Sequence, residues 1–286
     1  MSKSSAQLAI LDHELSEICL LLERQIGALL DSSDSSLPEI LLRYLETRRL
    51  DSAKDLIARL QSSETECESL AEGLLDPSTG FFRHAEAFQA LTKIALPELE
   101  RRKAPQGARE LRIWSAGCSS GQEAYSIAIS VCEAVNGGHS VWKIQIVGSD
   151  IRRQALQQAE RGLYPEHELR EMPRALVQQY FAKVGQHYLV KPRVRHLVAF
   201  APTNLVQPHY IGRFDCIFCM DVLPHFSRQQ RAALVQHLYL YLQPGGFLFL
   251  GRGEKLSTAE PSFLIHGAPA CTVYQRPLAA ASAAGH

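Results

Sequence analysis

No apolar run in this sequence reaches the roughly 20 residues that a membrane-crossing helix needs. The opening stretch, MSKSSAQLAILDHELSEICL, has no basic start, no long apolar core and no small-residue cleavage site, so it carries no signal-peptide pattern. Neither sign of charge is in excess, with 30 Lys+Arg against 30 Asp+Glu, and the total gives no reason to expect nucleic acid or an anionic membrane as partner. Cysteines number seven, odd and scattered, which argues against a disulfide framework and for a reducing, cytoplasmic setting. One C-x-x-C occurs, Cys216 and Cys219 in FDCIFCMDVL, with no second pair to complete a zinc site. On a strand, residues three apart point to opposite faces, so these are expected to be core cysteines and no metal is expected. Also missing are G-x-G-x-x-G and a phosphate-binding lysine loop, the marks of a dinucleotide or nucleoside triphosphate site.

What is present divides unevenly. Residues 1–75 hold 14 acidic and 7 basic side chains, leaving the remainder net positive. Segments 6–30 and 37–61 have apolar residues every three or four positions, predicting two helices separated by DSSDSS, with Ser35 and Ser36 as cap candidates for the second. We expect residues 1–75 to form a helical domain and 76–286 a second one. From residue 84 the pattern alternates: helix EAFQALTKIALPELERRK, strand LRIWSAG, a helix from about 121 to 135, strand WKIQIVGSD, helix RQALQQAERG. After an irregular part come FDCIFCMDVL, the helix SRQQRAALVQHLYLYL and a hairpin-like GGFLFLGRGE. Strand–helix alternation predicts an α/β, doubly wound open sheet, with ligands outside the carboxyl ends of its strands. Residues 163–210 interrupt the alternation and are expected to be a small antiparallel β-subdomain, with Lys191, Arg193, Arg195 and His196 giving it a basic character.

LRIWSAGCSSGQEAYSIAI, 111–129, is the first strand and the helix after it. Gly117 and Gly121 either relieve packing where strand meets helix or let a ligand lie against bare backbone. Asp150 ends the next strand, where its carboxylate is placed to accept both hydroxyls of a ribose, or else to cap the following helix. Strand, glycine turn, helix, strand and terminal acid together describe a nucleoside site, and without a phosphate-binding lysine S-adenosylmethionine fits it better than ATP.

Several separate pieces, in order, resemble the chemotaxis receptor glutamate O-methyltransferases of the CheR family. TGFFR (79–83) is similar to the family's T-x-F-F-R, WSAGCSSGQEAYSIAI to its cofactor turn, and GSDI to the next strand end. TNL (203–205), FDCIFCMDVLPHF and LQPGGFLFLGRGE resemble later family motifs. The resemblance implies a Rossmann-like S-adenosylmethionine-dependent methyltransferase fold and contacts to that cofactor, or its product S-adenosylhomocysteine, from Thr79, Arg83, Gly117, Glu123, Asp150, Asn204, Leu205, Met220 and Asp221. Arg83 and His225 would carry the chemistry, Arg83 by holding the acceptor carboxylate. The implied partner is the cytoplasmic helical region of a chemoreceptor or similar sensory protein, met by a monomer of the type that needs no receptor pentapeptide. Departures cluster: Met220-Asp221 stand where the family has Arg-Asn, and His225 where it has Tyr. These departures keep open a second reading, a catalytically impaired S-adenosylmethionine-binding regulatory module.

Overall fold

The computed structural model describes residues 10–75, 79–107, 110–136, 142–207, 212–256, 262–268 and 271–278. Four helices come first: α1 (Asp12–Ile26), α2 (Leu37–Arg48), α3 (Ala53–Ser62) and α4 (Glu64–Leu74). Their apolar faces share one buried cluster built on Ile18, Leu22, Leu41, Leu45, Leu56, Leu60 and Leu70. The pattern over 37–61 reads as one helix but makes two. Arg49 turns left-handed with φ 53° and Ser52 accepts the Asp55 amide, which ends one helix and caps the next. Ser36 does sit at the start of α2, yet its side chain bonds Asp34 instead of capping. The expected break at 76–78, residues 6–9 of the expected first helix and the Ala-rich tail lie outside the described residues.

Next come α5 (Ala85–Ala90) and α6 (Leu96–Lys103), joined without interruption by a π-turn over Leu91–Ala95. Pro97 follows this turn. A proline cannot donate to the helix ladder and crowds the carbonyl four residues back, which accounts for the local widening. The sheet is then laid down by β1 (Glu110–Ala116), α7 (Gln122–Asn136), β2 (Lys143–Asp150) and α8 (Arg153–Arg161). A small antiparallel sheet follows, made of β3 (Leu163–Pro165), β4 (Phe181–Val184) after α9 (Arg174–Tyr180), and β5 (His187–Val190), in the order β3-β5-β4. After α10 (Pro192–Arg195), β6 (Val198–Pro202) returns to the main sheet and pairs parallel with β2. The antiparallel insertion is therefore shorter than 163–210. Polar and basic residues around β6 hide its membership, which pairing with β2 decides.

The chain then crosses back to β7 (Phe214–Cys219), and α11 (Arg228–Tyr241) leads to β8 (Leu242–Leu250), β9 (Leu264–Ala268) and β10 (Cys271–Gln275). The seven strands lie in the order β6-β2-β1-β7-β8-β10-β9. β8 runs parallel to β7, and its antiparallel partner is the distant β10, so GGFLFLGRGE is not a local hairpin. One face of the sheet packs on α7 and the helix of α5 and α6 through Phe88, Tyr125, Ile127, Phe218 and Phe249; the other packs on α11 through Trp114, Phe214, Leu234 and Leu238. Cys216 joins the first of these clusters and Cys219 the second, as a strand's alternation requires. Both thiols are fully buried, and that burial pushes their pKa values well up, so they are inert core groups.

Candidate functional site

Strand order reverses between β1 and its neighbour β7, since the chain first builds outward through β2 and β6 and then crosses back. Ligands of doubly wound sheets lie outside the carboxyl ends of strands at such a switch point. Here a cavity opens at that place, and all the residues implied by the resemblance line it: Thr79, Arg83, Gly117, Glu123, Asp150, Asn204, Leu205, Met220, Asp221 and His225.

The two glycines divide the readings proposed for them. Gly121 has φ +92° and a Cβ there would sit 2.7 Å from the Ala159 Cβ, so it serves the packing of α7 on α8. Gly117 lines the cavity with φ +79°, but a Cβ there would also fall 2.5 Å from Val222. Its bareness is demanded by the left-handed turn and by Val222 before any ligand is considered.

Asp150 is buried and lies before the helix, not at its cap, which is Arg152. Its Oδ1 accepts from the Arg152 backbone amide at 2.9 Å and from Arg152 Nε at 3.2 Å, and its Oδ2 accepts from the Ser119 amide at 2.8 Å. A carboxylate offers about four lone-pair sites. Three are taken, so Asp150 has room for one further donor, not the pair of ribose hydroxyls expected from sequence.

A group of acids faces the other side. Ser115 donates to Glu123 Oε1 at 2.6 Å. What exposure Glu123 keeps is onto the cavity, and burial, with Asp221 and Glu254 nearby, pushes its pKa up to about 8. Glu254 accepts the Asp221 amide at 3.1 Å and the Gly251 amide, and burial raises its pKa too. Its Oε1 is buried with no hydrogen-bond partner. Asp221 stands at φ +60°, a backbone region in which Asp and Asn are enriched among non-glycine residues. His84 Nε2 lies 2.7 Å from its Oδ2, and Arg83 Nε 3.5 Å from the same oxygen.

Arg83 owes its position to its neighbours. Phe81 is buried edge-on against Tyr164 and Phe181, and Phe82, held at φ +54°, donates its amide to Ser126. Thr79 caps no helix, since α5 begins after His84. Asn204 is a turn residue as well as a cavity residue: its Oδ1 accepts the Val206 amide, while its Nδ2 donates to Gln25 O at 2.9 Å and to Glu64. Leu205 packs against the α11-side cluster, Met220 is in the α7-side core, and His225 is exposed at the rim. Sequence reasoning missed His84, and it missed Ile26, Gly27 and Ala28, which also line the cavity. His84 directly follows the T-G-F-F-R stretch and was within reach; the α1 residues, far away in sequence, gave no signal.

A doubly wound sheet with one reversed strand, and a cavity at its switch point beside a strand-end aspartate, are the frame that a nucleoside-cofactor enzyme of the methyltransferase class requires. The model of the "CheR methyltransferase, SAM binding domain" matches residues 77–270, and the chain belongs to that family. It is 34% identical over 256 residues to chemotaxis protein methyltransferase 1 of Pseudomonas aeruginosa, covering 86% of this chain and 90% of that one. Against the chemotaxis protein methyltransferase of Salmonella typhimurium it is 30% identical over 270 residues, 91% of this chain and 90% of the other. A probable biofilm formation methyltransferase of P. aeruginosa, WspC, is 29% identical over 260 residues, 90% of this chain and 60% of its own length. The cofactor is S-adenosylmethionine. The residues present suit it: Asp150 has an acceptor position to spare for a hydroxyl, and Asp221 puts a carboxylate in the cavity wall, which suits a ligand with a cationic centre. No helix among the described residues is long and apolar enough to cross a membrane.

Proposed function

We propose that the protein methylates glutamate side chains on the cytoplasmic helical region of a chemoreceptor or related sensory protein, giving methyl esters. One observation carries the reading: in a chain of the CheR family, every residue implied by the motifs faces one cavity at the switch point. The names of the relatives in P. aeruginosa and S. typhimurium support a chemotaxis substrate, and that of WspC, a probable biofilm formation methyltransferase, extends the family's reach to biofilm formation.

The reaction asks little of the protein. A glutamate with a pKa near 4.3 is already ionised at pH 7, so no base is required. When bound, the sulfonium cofactor supplies a methyl group activated by its own charge. The chain's part is to align acceptor oxygen, methyl and sulfur, and alignment alone can supply several kcal/mol. Arg83, projecting from the anchored Phe81-Phe82, is the cation that would take the acceptor carboxylate, with His225 at the rim closing the approach. Thr79, Gly117, Glu123, Asp150, Asn204, Leu205, Met220 and Asp221 would hold the cofactor. Residues 1–75 and 76–286 would be the two working units, the first with an apolar cluster of its own.

The second reading, a module that binds cofactor without transferring methyl, has one observation in its favour. Asp221, an acid where the family has an amide, already faces Arg83 at 3.5 Å. An acceptor carboxylate must share or displace that contact. The insertion's cations give less to a partner than their number suggests, because Lys191 Nζ donates to the carbonyls of Gln178 and Gln179, and Arg195 to that of Glu160. Transfer of tritiated methyl onto receptor cytoplasmic fragments separates the readings. A base-labile label is the expected result, and cofactor binding with no label on any fragment would favour the binding module.

A further inference from the structure

Asp221 is held from several sides, and one of its partners has no part in the functional reading above. Its amide donates to Glu254 at 3.1 Å. Its Oδ1 lies against Gly251, where a Cβ would fall 2.4 Å from that oxygen. Its Oδ2 meets His84 Nε2 at 2.7 Å and Arg83 Nε at 3.5 Å. We propose that His84 is a positioning residue for methyl transfer: by hydrogen-bonding Asp221 Oδ2 it keeps this carboxylate from closing on Arg83 and competing with the acceptor glutamate. The inference rests on the functional reading above, with Arg83 as the cation for the acceptor.

The distances divide the two partners. An ionised carboxylate can only accept, so the proton between Nε2 and Oδ2 belongs to His84. At 2.7 Å this is a full hydrogen bond. The 3.5 Å to Arg83 lies beyond the roughly 2.7–3.2 Å of an N–H···O bond, so Arg83 attracts the same oxygen by charge. Both residues belong to one pinned turn. Phe81 is packed edge-on against Tyr164 and Phe181, and Phe82 meets Phe88 with ring centroids 5.1 Å apart. The Ala87 amide donates to the His84 carbonyl at 2.9 Å, which ties the turn to α5. The His84 side chain is 15% exposed and that of Arg83 47%, so the partner with room to move is Arg83. Without His84, Oδ2 loses its short donor, and Arg83 needs a shift of less than about 1 Å to replace it. The acceptor would then meet a cation already bound to a carboxylate by a charge-assisted hydrogen bond. All three side chains line the cavity, so the contest takes place where the methyl is transferred.

Tritiated-methyl transfer onto receptor cytoplasmic fragments and S-adenosylhomocysteine calorimetry, both on the full chain, test it. His84→Ala should lower kcat/KM for the fragment about tenfold or more, as expected for one charge-assisted hydrogen bond. Its S-adenosylhomocysteine affinity should stay within about twofold of the wild type, which also shows that the variant is folded. His84→Gln, whose amide can donate to the same oxygen, should stay within about threefold of the wild type in turnover. Asp221→Asn removes the competing charge and should still transfer methyl, and adding His84→Ala to it should cost less than about twofold. Wild-type turnover in His84→Ala, a parallel loss of S-adenosylhomocysteine affinity, or a Gln variant no better than the Ala variant overturns the inference. So does an undiminished effect of His84→Ala in the Asp221→Asn background, or an Asp221→Asn variant without transfer. A wild type that binds S-adenosylhomocysteine yet labels no fragment instead defeats the glutamate-methylation reading, and the inference with it.

Discussion

Asp221 shows how much one atom changes at this site. An amide there, as in the family, would give His84 and Arg83 a neutral partner; the carboxylate gives both a charged one, at 2.7 and 3.5 Å. It also adds to the field that keeps Glu123 protonated, behind the larger effect of burial. Two predictions belong at this scale. Arg83→Ala should lower methyl transfer by about a hundredfold or more, the loss of a bidentate carboxylate clamp, with little change in melting temperature because the side chain is half exposed. Unchanged turnover would remove Arg83 from the mechanism. The second concerns Glu123, whose folded pKa of about 8 lies above its ordinary 4.5. Such a group favours folding most below its unfolded pKa, and that contribution is lost as pH rises through the folded value. Glu123→Gln, neutral at every pH, should therefore gain on the wild type as pH rises from 4.5 to about 8, with a larger advantage in melting temperature at pH 9 than at pH 6. An equal difference at both pH values would mean that the burial of this acid has been misread.

At the scale of elements, legibility followed the range of the cause. Strand β1, helix α7 and strand β2 were readable because apolar periodicity and the Gly117 turn are local signals. Helix boundaries are less legible: Arg49 in a left-handed conformation gives no compositional warning, and the stretch before Pro97 has the same spacing as ordinary helix although it widens to a π-turn. The membership of β6 in the main sheet and the pairing of β8 with β10 depend on partners far along the chain. The site divides in the same way. Motif residues came out together because each lies at or near the end of a strand or helix that the sequence announces. The α1 wall did not, because nothing in RQIGALL says which surface it will meet. Of the two readings open for Gly121, packing relief and cofactor cradle, the approach of α8 selects packing, through a contact between elements that no local pattern encodes.

As a whole molecule the protein is a doubly wound sheet with a helical module laid across the mouth of its ligand cleft. Its acidic character is concentrated in the first 75 residues, and part of that charge is spent internally, Glu68 on Arg153 and Glu64 on Asn204. The central claim is that S-adenosylmethionine rests at the carboxyl ends of β1, β2 and β7 with its sugar on Asp150. A crystal structure of the full chain with S-adenosylhomocysteine tests it most directly. The account predicts the ligand between Gly117 and Asp221, one ribose hydroxyl on Asp150 Oδ2 and the α1 end in contact with it. Density for the ligand elsewhere, or a cleft closed by the protein's own side chains at saturating ligand, would contradict it.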